Sequence, residues 1–385
     1  MLRPQLHRIV IDPEVRRSPI AAAVRRHAAG VEVTEEPTAP LAAATRHLTL
    51  AEGKRLLLVR PFHGRSFKPC QGGRPEYSCC GLHTLADANG CGMECSYCIL
   101  QYYMTSPHLT VFGNVDDLLA EVAQFAATAP EKLFRVSTGE LGDSLLLDPL
   151  TEMSRHLVPF FRDLPNAVLE LKTKSDHVAN LLELDHGEKT VISWSVNPPQ
   201  VVAHEELKTA SLEERLAAAR EVAERGYPVA FHFDPIVHLE GWRGEYAQVV
   251  ERLVEAVAPE RWAWLSMGTL RFLPEMKETM EGRFPSSRLP HGELIRGNDG
   301  KLRYPRPLRV EMYRWIVDEL RRLGVCREEG PVVYLCMETP DVWKKVFGGS
   351  PPTREDLDRR FSANYRRRFA RGSWGRVGGA ASQHL

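Results

Sequence analysis

The sequence lacks an excess of charge of either sign, because its 385 residues include 50 Lys and Arg and 50 Asp and Glu. Any affinity for nucleic acid must therefore come from a local basic patch and not from the field of the whole molecule. It also lacks an apolar run of the roughly 18 residues that a transmembrane helix needs. The N-terminal stretch MLRPQLHRIVIDPEVRR contains neither an apolar core of signal-peptide length nor a small-residue cleavage site. These absences predict a cytoplasmic protein without a membrane partner.

Cysteine is scarce along most of the chain but clustered in one stretch. Cys326 and Cys336 stand apart, and the other cysteines lie between residues 70 and 98, namely Cys70, Cys79, Cys80, Cys91, Cys95 and Cys98. In the reducing cytoplasm, clustered cysteines bind metals or carry out redox chemistry more often than they form disulfides. We therefore expect the chemistry of this protein within that stretch.

The middle of the chain alternates between β-rich runs and helical stretches. The predicted strands cover residues 83–88, 132–138, 167–174, 190–196, 228–236 and 262–269. The predicted helices cover residues 114–129, 147–163, 211–226, 244–257 and 309–324. This alternation is typical of a parallel α/β sheet and predicts a partial (β/α)6 barrel over residues 81–325. Right-handed crossovers would bring the carboxyl ends of the strands to one rim, where the chemistry of such folds collects.

Three further regions flank the predicted barrel. Residues 1–80 are expected to form an N-terminal extension with a short helix near 21–30 and a strand at 54–62. Residues 326–352 add one more strand and a short helix. Residues 353–385 are rich in arginine and turn residues and are predicted to form a flexible, basic tail.

The spacing of three cysteines is the most specific motif. The segment NGCGMECSYCILQYYM places Cys91, Cys95 and Cys98 in a C-x3-C-x2-C pattern. Three thiolates on a short loop can bind three irons of a cubane cluster and leave the fourth iron open for a chelating ligand. A zinc site is the alternative, and it would need a fourth ligand such as Cys79, Cys80 or His83.

The cysteine loop and several later motifs resemble a known family. The C-x3-C-x2-C spacing after a first barrel strand is similar to that of the radical S-adenosylmethionine superfamily. CSYCILQYYM, LKTK, SWSVNP, EGW and the block SLEERLAAAREVAERGYPVAFHFDPI together resemble the spore photoproduct lyase family over roughly residues 83–260. The resemblance implies a [4Fe–4S] cluster that reductively cleaves S-adenosylmethionine to a 5′-deoxyadenosyl radical. An electron donor such as flavodoxin or ferredoxin would then be a partner.

The resemblance also implies residues that bind the cofactor. Lys174, at the end of the third strand, would lie near the cofactor carboxylate, and Glu140 after Gly139 would receive its amino group. Ser195 and Asn197, at the end of the fourth strand, would contact its ribose. The alternatives are a surface lysine at a strand end and ordinary turns after the strands.

The sequence departs from the family at its hydrogen donor. Tyr97 matches one of two family tyrosines, whereas Ile99 occupies the position of the other. The family's donor cysteine after the second strand is missing, and Thr138 lies in the matching stretch with an O–H that is a poorer hydrogen donor than S–H. Cys336 at the end of a strand is the candidate replacement, and a changed substrate is the other explanation.

Two further features bear on the substrate. His232 and Asp234 are two residues apart on the fifth strand, so both are expected on one side of it. The tail carries eight arginines against three acids, interleaved with Phe361, Tyr365, Phe369 and Trp374. Such a composition suits nucleic acid, and it predicts contacts with DNA through the tail and the barrel rim.

These observations leave three functions open. The first is a spore photoproduct lyase-like enzyme that repairs a thymine-dimer lesion or carries out a related nucleobase reaction on DNA. The second is a radical enzyme that acts on a small molecule or a protein. The third is a non-enzymatic iron–sulfur or zinc protein that binds nucleic acid.

Overall fold

The computed structural model describes residues 5–72 and 76–370. In that part of the chain, no helix is long and apolar enough to cross a membrane. The strands are β1 (Arg8–Ile11), β2 (Glu32–Glu35), β3 (Leu56–Arg60), β4 (Phe67–Pro69), β5 (His83–Leu85), β6 (Ala88–Asn89), β7 (Glu94–Cys95), β8 (Leu109–Phe112), β9 (Phe134–Ser137), β10 (Ala167–Thr173), β11 (Thr190–Ser195), β12 (Glu206–Leu207), β13 (Val229–Ile236), β14 (Trp262–Thr269), β15 (Arg271–Phe272), β16 (Ile295–Arg296), β17 (Leu302–Arg303) and β18 (Val332–Leu335). The helices are α1 (Pro19–His27), α2 (Thr38–Ala44), α3 (Leu50–Gly53), α4 (Leu100–Tyr103), α5 (Val115–Ala127), α6 (Asp148–Thr151), α7 (Ser154–Asp163), α8 (Pro199–Glu205), α9 (Leu212–Glu224), α10 (Trp242–Ala256), α11 (Met276–Arg283), α12 (Arg306–Arg322), α13 (Pro340–Phe347) and α14 (Arg354–Phe369).

The main sheet is the predicted partial barrel. Its strand order is β4-β5-β9-β10-β11-β13-β14-β18, and every neighbouring pair from β5 onward is parallel. All residues of β11 and β14 are buried, as expected for strands covered by helices on one face and by the barrel interior on the other. The sheet has two strands beyond the six predicted, because β4 pairs antiparallel with β5 at one edge and β18 from the C-terminal addition pairs with β14 at the other. The predicted fold class is confirmed.

Helix boundaries follow local signals in the sequence. Helix α9 begins after Ser211, whose side chain accepts from the backbone N–H of Glu214 while Glu214 bonds back to the Ser211 N–H. The helix predicted over 147–163 is two helices, α6 and α7, because Glu152 between them has a positive φ of 50°.

A second sheet forms beside the barrel and was not expected. Its strand order is β2-β1-β3-β8-β6, and β1, β2, β3 and β8 pair in parallel. Strand β8 comes after the cysteine loop, so the chain returns to the N-terminal sheet before it continues the barrel. Residue 80 is therefore not a boundary between the two sheets.

The predicted flexible tail is wrong for residues 354–369, which form helix α14. The apolar residues Leu357, Phe361, Tyr365 and Phe369 recur every four positions and are all buried, because this spacing puts them on one helix face. Arg366 and Arg368 donate hydrogen bonds to the carbonyls of Glu131, Glu329 and Trp262. These carbonyls lie at or just before the starts of barrel strands, so α14 closes the end of the barrel opposite to the strand carboxyl ends. Trp374 and the last two tail arginines lie outside the described residues.

Candidate active site

The cysteine loop is held against the barrel by its backbone. Strand β7 pairs antiparallel with β12, which places Cys95 opposite Glu206. The next N–H, of Ser96, donates to the carbonyl of Glu205 at 2.8 Å, and the Ser96 hydroxyl donates to the Glu205 carboxylate. The segment that follows β11 therefore fixes the position of the loop.

The three cysteines of the loop belong to one small apolar cluster. Cys95 is buried with Met93 and Leu146, and Cys91 and Cys98 pack against them partly buried. Burial raises the pKa of the Cys95 thiol to about 12, and the nearby Lys174 opposes that shift. Within residues 5–72 and 76–370, no three Cys, His, Asp or Glu side chains converge to hold a single metal ion. A cubane cluster makes a different demand, because each thiolate binds a different iron.

Tyr97 of the loop is part of a buried polar network. Its hydroxyl donates a hydrogen bond to Glu206, which also accepts from Asn197 Nδ2 at 2.9 Å. The hydroxyl of Tyr246 donates to Asn197 Oδ1 at 2.8 Å. Burial acts to raise the pKa of Glu206, but Arg215 and Lys174 lower it to about 2. Glu206 is thus an ionised group that fixes the tyrosine.

Lys174 lies where the network meets the cysteines. Its Nζ is 5.4 Å from the centroid of the Tyr97 ring. Burial acts to lower the pKa of Lys174, but Glu206 and Cys95 outweigh it and the pKa is raised above its ordinary value. The structure therefore places a permanent cation beside the cysteine loop.

The other residues predicted to bind the cofactor occupy different settings. Glu140 accepts from the Thr84 hydroxyl at 2.9 Å and lies 3.7 Å from Lys68 Nζ. Ser195 is buried, and its carbonyl accepts from Arg215. Asn197 is completely buried with both ends of its amide engaged inside the protein, which is the setting of a residue that orients its neighbours.

A cavity of about 450 Å³ opens at the carboxyl ends of the barrel strands. Tyr97, Cys98, Glu140 and Cys336 all line it. The cavity is also lined by Cys70, Cys79, Cys80, Asp234 and Arg271. The cavity therefore brings together residues from the cysteine loop, the second strand and the last strand of the barrel.

His232 and Asp234 differ in their exposure to the cavity. Asp234 lines the cavity, whereas His232 lies deeper, 4% exposed, with Nε2 2.7 Å from the Glu170 carboxylate. Trp264 donates to the same Glu170 oxygen at 3.0 Å. His232 is thus a hydrogen-bonded core histidine. Thr138 is also buried and donates to Ser144.

Sequence reasoning missed Glu206 and Arg271. Both act through partners distant along the chain, since Glu206 contacts a tyrosine 109 positions earlier and Arg271 contacts a cysteine 65 positions later. Only the fold reveals such pairs, because neither residue belongs to a local motif with a ligand spacing.

Comparisons with known proteins agree with this architecture. The sequence model of the spore photoproduct lyase family matches residues 79–306. The spore photoproduct lyase of Geobacillus sp. (strain Y412MC61) is 31% identical over 212 residues, which are 54% of this chain and 62% of that protein. The Bacillus subtilis (strain 168) spore photoproduct lyase is 29% identical over 205 residues, 52% of this chain and 60% of that protein. The chain thus spans about three-fifths of the length of these curated relatives.

Solved structures share the fold over most of the chain. A spore photoproduct lyase double mutant with bound AdoMet and dinucleoside spore photoproduct has a TM-score of 0.73 and 23% identity, covering 88% of this chain and 100% of that one. A spore photoproduct lyase complexed with dinucleoside spore photoproduct has a TM-score of 0.72 and 24% identity, and the match covers 86% of this chain and 100% of that one.

Proposed function

The chain belongs to the spore photoproduct lyase family, and from that premise we propose that it is a radical S-adenosylmethionine enzyme that acts on a thymine lesion in DNA. The observation that carries the proposal is the cavity at the strand carboxyl ends, which Tyr97, Cys98, Glu140 and Cys336 line together. Solved relatives of the same fold bind AdoMet and dinucleoside spore photoproduct.

Cys91, Cys95 and Cys98 would hold the [4Fe–4S] cluster. The donor set fits, because thiolates are the ligands that select iron–sulfur clusters and all three thiols meet in one apolar cluster on a loop clamped by β12. When bound, S-adenosylmethionine supplies a 5′-deoxyadenosyl radical on one-electron reduction.

The cofactor would be held by residues around the loop. Lys174 would pair with its carboxylate, since it is a buried cation next to the cysteines. Glu140 would face its amino group from the cavity wall. Ser195 would contact the ribose. Asn197 would either contact the ribose as well or orient Tyr97 through its hydrogen bond to Glu206.

Cys336 would donate hydrogen to the substrate radical. It lines the cavity, whereas Thr138, at the family's donor position, is buried and bonded to Ser144. Tyr97 lines the same cavity and would serve as the next group in the hydrogen relay.

DNA would approach the barrel rim at the mouth of the cavity. Arg366, Arg367 and Arg368 of α14 donate hydrogen bonds to backbone carbonyls at the opposite end of the barrel, so these three do not supply the phosphate contacts expected of a tail. An electron donor such as flavodoxin or ferredoxin would complete the system.

The test is an anaerobic assay of the reconstituted, dithionite-reduced protein with S-adenosylmethionine and dinucleoside spore photoproduct. The wild type should form 5′-deoxyadenosine and thymidine products. The variant with Cys91, Cys95 and Cys98 all changed to Ala should form neither and should retain little iron, while Cys326→Ala should behave as wild type. If the triple variant still forms 5′-deoxyadenosine, the proposal is wrong.

A further inference from the structure

We propose that the ion pair of Asp234 and Arg271 positions the thiol of Cys336 for hydrogen donation into the cavity. The proposal rests on the proposed function, because it names the residues that would orient its hydrogen donor. Three neighbouring strands bring these side chains together. Asp234 lies near the end of β13, Arg271 follows β14, and Cys336 follows β18.

The contacts form a chain that ends at the sulfur. Arg271 Nη1 lies 2.9 Å from Asp234 Oδ1, and Nη2 lies 3.4 Å from Oδ2. The same Nη2 donates to Cys336 Sγ at 3.8 Å. The side chains of Arg271 and Asp234 are 13% and 18% exposed, so the pair is shielded from water but borders the cavity. Asp234 therefore holds Arg271, and Arg271 contacts the sulfur.

The backbone is built to accommodate this arrangement. Gly268 of β14 lies beneath the ion pair, and a Cβ there would be 2.6 Å from Arg271 Nη1 and 2.7 Å from Asp234 Oδ1. The N–H of Cys336 donates to the carbonyl of Met267 at 2.8 Å. One short segment of β14 thus supports the ion pair and fixes the backbone of the cysteine.

The polarity of the contact suits a hydrogen donor. Arg271 has only N–H donors, so it uses a lone pair of the sulfur and leaves the S–H hydrogen free. Asp234 directs both oxygens at Arg271 and does not compete for that hydrogen.

The step itself is a transfer of one hydrogen atom. The S–H bond of Cys336 breaks, a C–H bond forms at the substrate radical, and the unpaired electron moves to the sulfur. No proton or further reactant is exchanged. Because such a transfer depends on the distance and direction of the S–H bond, loss of the positioning pair should slow this step and leave the earlier ones intact.

The first test measures how often a radical event ends in repair. Arg271→Gln and Gly268→Ala should each lower the yield of thymidine product per 5′-deoxyadenosine between about tenfold and a hundredfold. The second variant keeps both charged side chains and only displaces them. Arg243→Gln, from an exposed ion pair on α10, and Gly282→Ala, which has open space at its Cβ, are the matched controls. An unchanged yield in Arg271→Gln overturns the proposal.

The second test needs neither cofactor nor substrate. Iodoacetamide labelling followed by peptide mapping gives the alkylation rate of each cysteine in the unloaded protein. Removing the Arg271 cation should slow alkylation at Cys336 several-fold, because less thiolate forms, and should leave Cys326 unchanged. A mere loosening of the fold would speed labelling instead, and an equal or faster rate at Cys336 refutes the contact. If the wild type forms 5′-deoxyadenosine but repairs nothing, the proposed substrate fails and this rate alone decides the positioning role.

Discussion

Arg215 and Glu206 form an ion pair in which both side chains are completely buried, with 2.7 Å between Nη2 and Oε2. Glu206 also accepts from the hydroxyl of Tyr97, and its backbone pairs with that of Cys95. One carboxylate therefore links helix α9 to the loop that carries the cysteines and to the tyrosine that faces the cavity.

Replacing Glu206 by Ala should strongly destabilise the protein. The change leaves the Arg215 cation buried without its partner, a situation that typically costs about 3–5 kcal/mol. Urea unfolding of the unloaded protein measures the loss. Glu311→Ala, which breaks an exposed ion pair with Arg243, is the control and should change stability by less than about 0.5 kcal/mol. A loss in Glu206→Ala no larger than in the control would contradict this account.

Much of the barrel could be predicted from the sequence, because its strands are buried on both sides and read as short apolar runs between helical segments. The predicted strand at 190–196 and the observed β11 over Thr190–Ser195 differ by one residue. The N-terminal sheet could not be predicted in the same way. Its strands β1, β2 and β8 have four residues each and pair across long stretches of chain.

The site residues also differ in whether the sequence alone identifies them. The cysteines and Tyr97 lie within one local motif, so their spacing identifies them. Glu206 and Arg271 acquire their roles only through contacts between distant segments. Helix α14 is an intermediate case, because the four-residue spacing of Phe361, Tyr365 and Phe369 is visible in the sequence, but the surrounding arginines give the segment the composition of a basic tail.

Replacing Phe361 by Ala should destabilise the closed end of the barrel. The guanidinium of Arg135 lies 3.5 Å from the centroid of the Phe361 ring, and Tyr334 packs against the same ring at 5.1 Å. Loss of a buried Phe costs about 3–5 kcal/mol, and Arg135 also loses a cation–π partner. Thermal and urea unfolding would measure the effect. Tyr102→Ala is the control, since Tyr102 is 43% exposed. If both variants lose a similar free energy of unfolding, Phe361 of α14 does not pack against Arg135 and Tyr334.

Replacing Lys174 by Met should weaken binding of S-adenosylmethionine. A hydrogen bond to a charged group contributes about 1.5–3 kcal/mol, so the dissociation constant should rise by roughly tenfold to a hundredfold. Equilibrium dialysis with the reconstituted protein would measure it, with iron content checked in parallel. Lys208→Met removes a lysine that is 60% exposed near Glu94 and should bind as the wild type does. A dissociation constant in Lys174→Met within about twofold of the control would remove Lys174 from the cofactor site.

Asp87 should make the stability of the protein depend on pH. Burial raises the pKa of its carboxyl from 3.8 to about 7 in the folded state. Between these values the folded protein binds more protons at Asp87 than the unfolded chain does, so stability falls as the pH rises. The part lost across this range is up to about 4 kcal/mol, because each pKa unit corresponds to about 1.4 kcal/mol.

The variant Asp87→Asn isolates that contribution, because an amide has a similar shape and does not ionise. Other titrating groups, such as His83, whose pKa burial lowers to about 4, are present in both proteins and cancel in the difference. Urea unfolding of both proteins at about pH 5 and about pH 8 should therefore show Asp87→Asn gaining stability relative to the wild type as the pH rises. A difference that stays constant across this range would show that the Asp87 carboxyl ionises in the folded protein as readily as in the unfolded chain, and that its buried position does not hold it protonated.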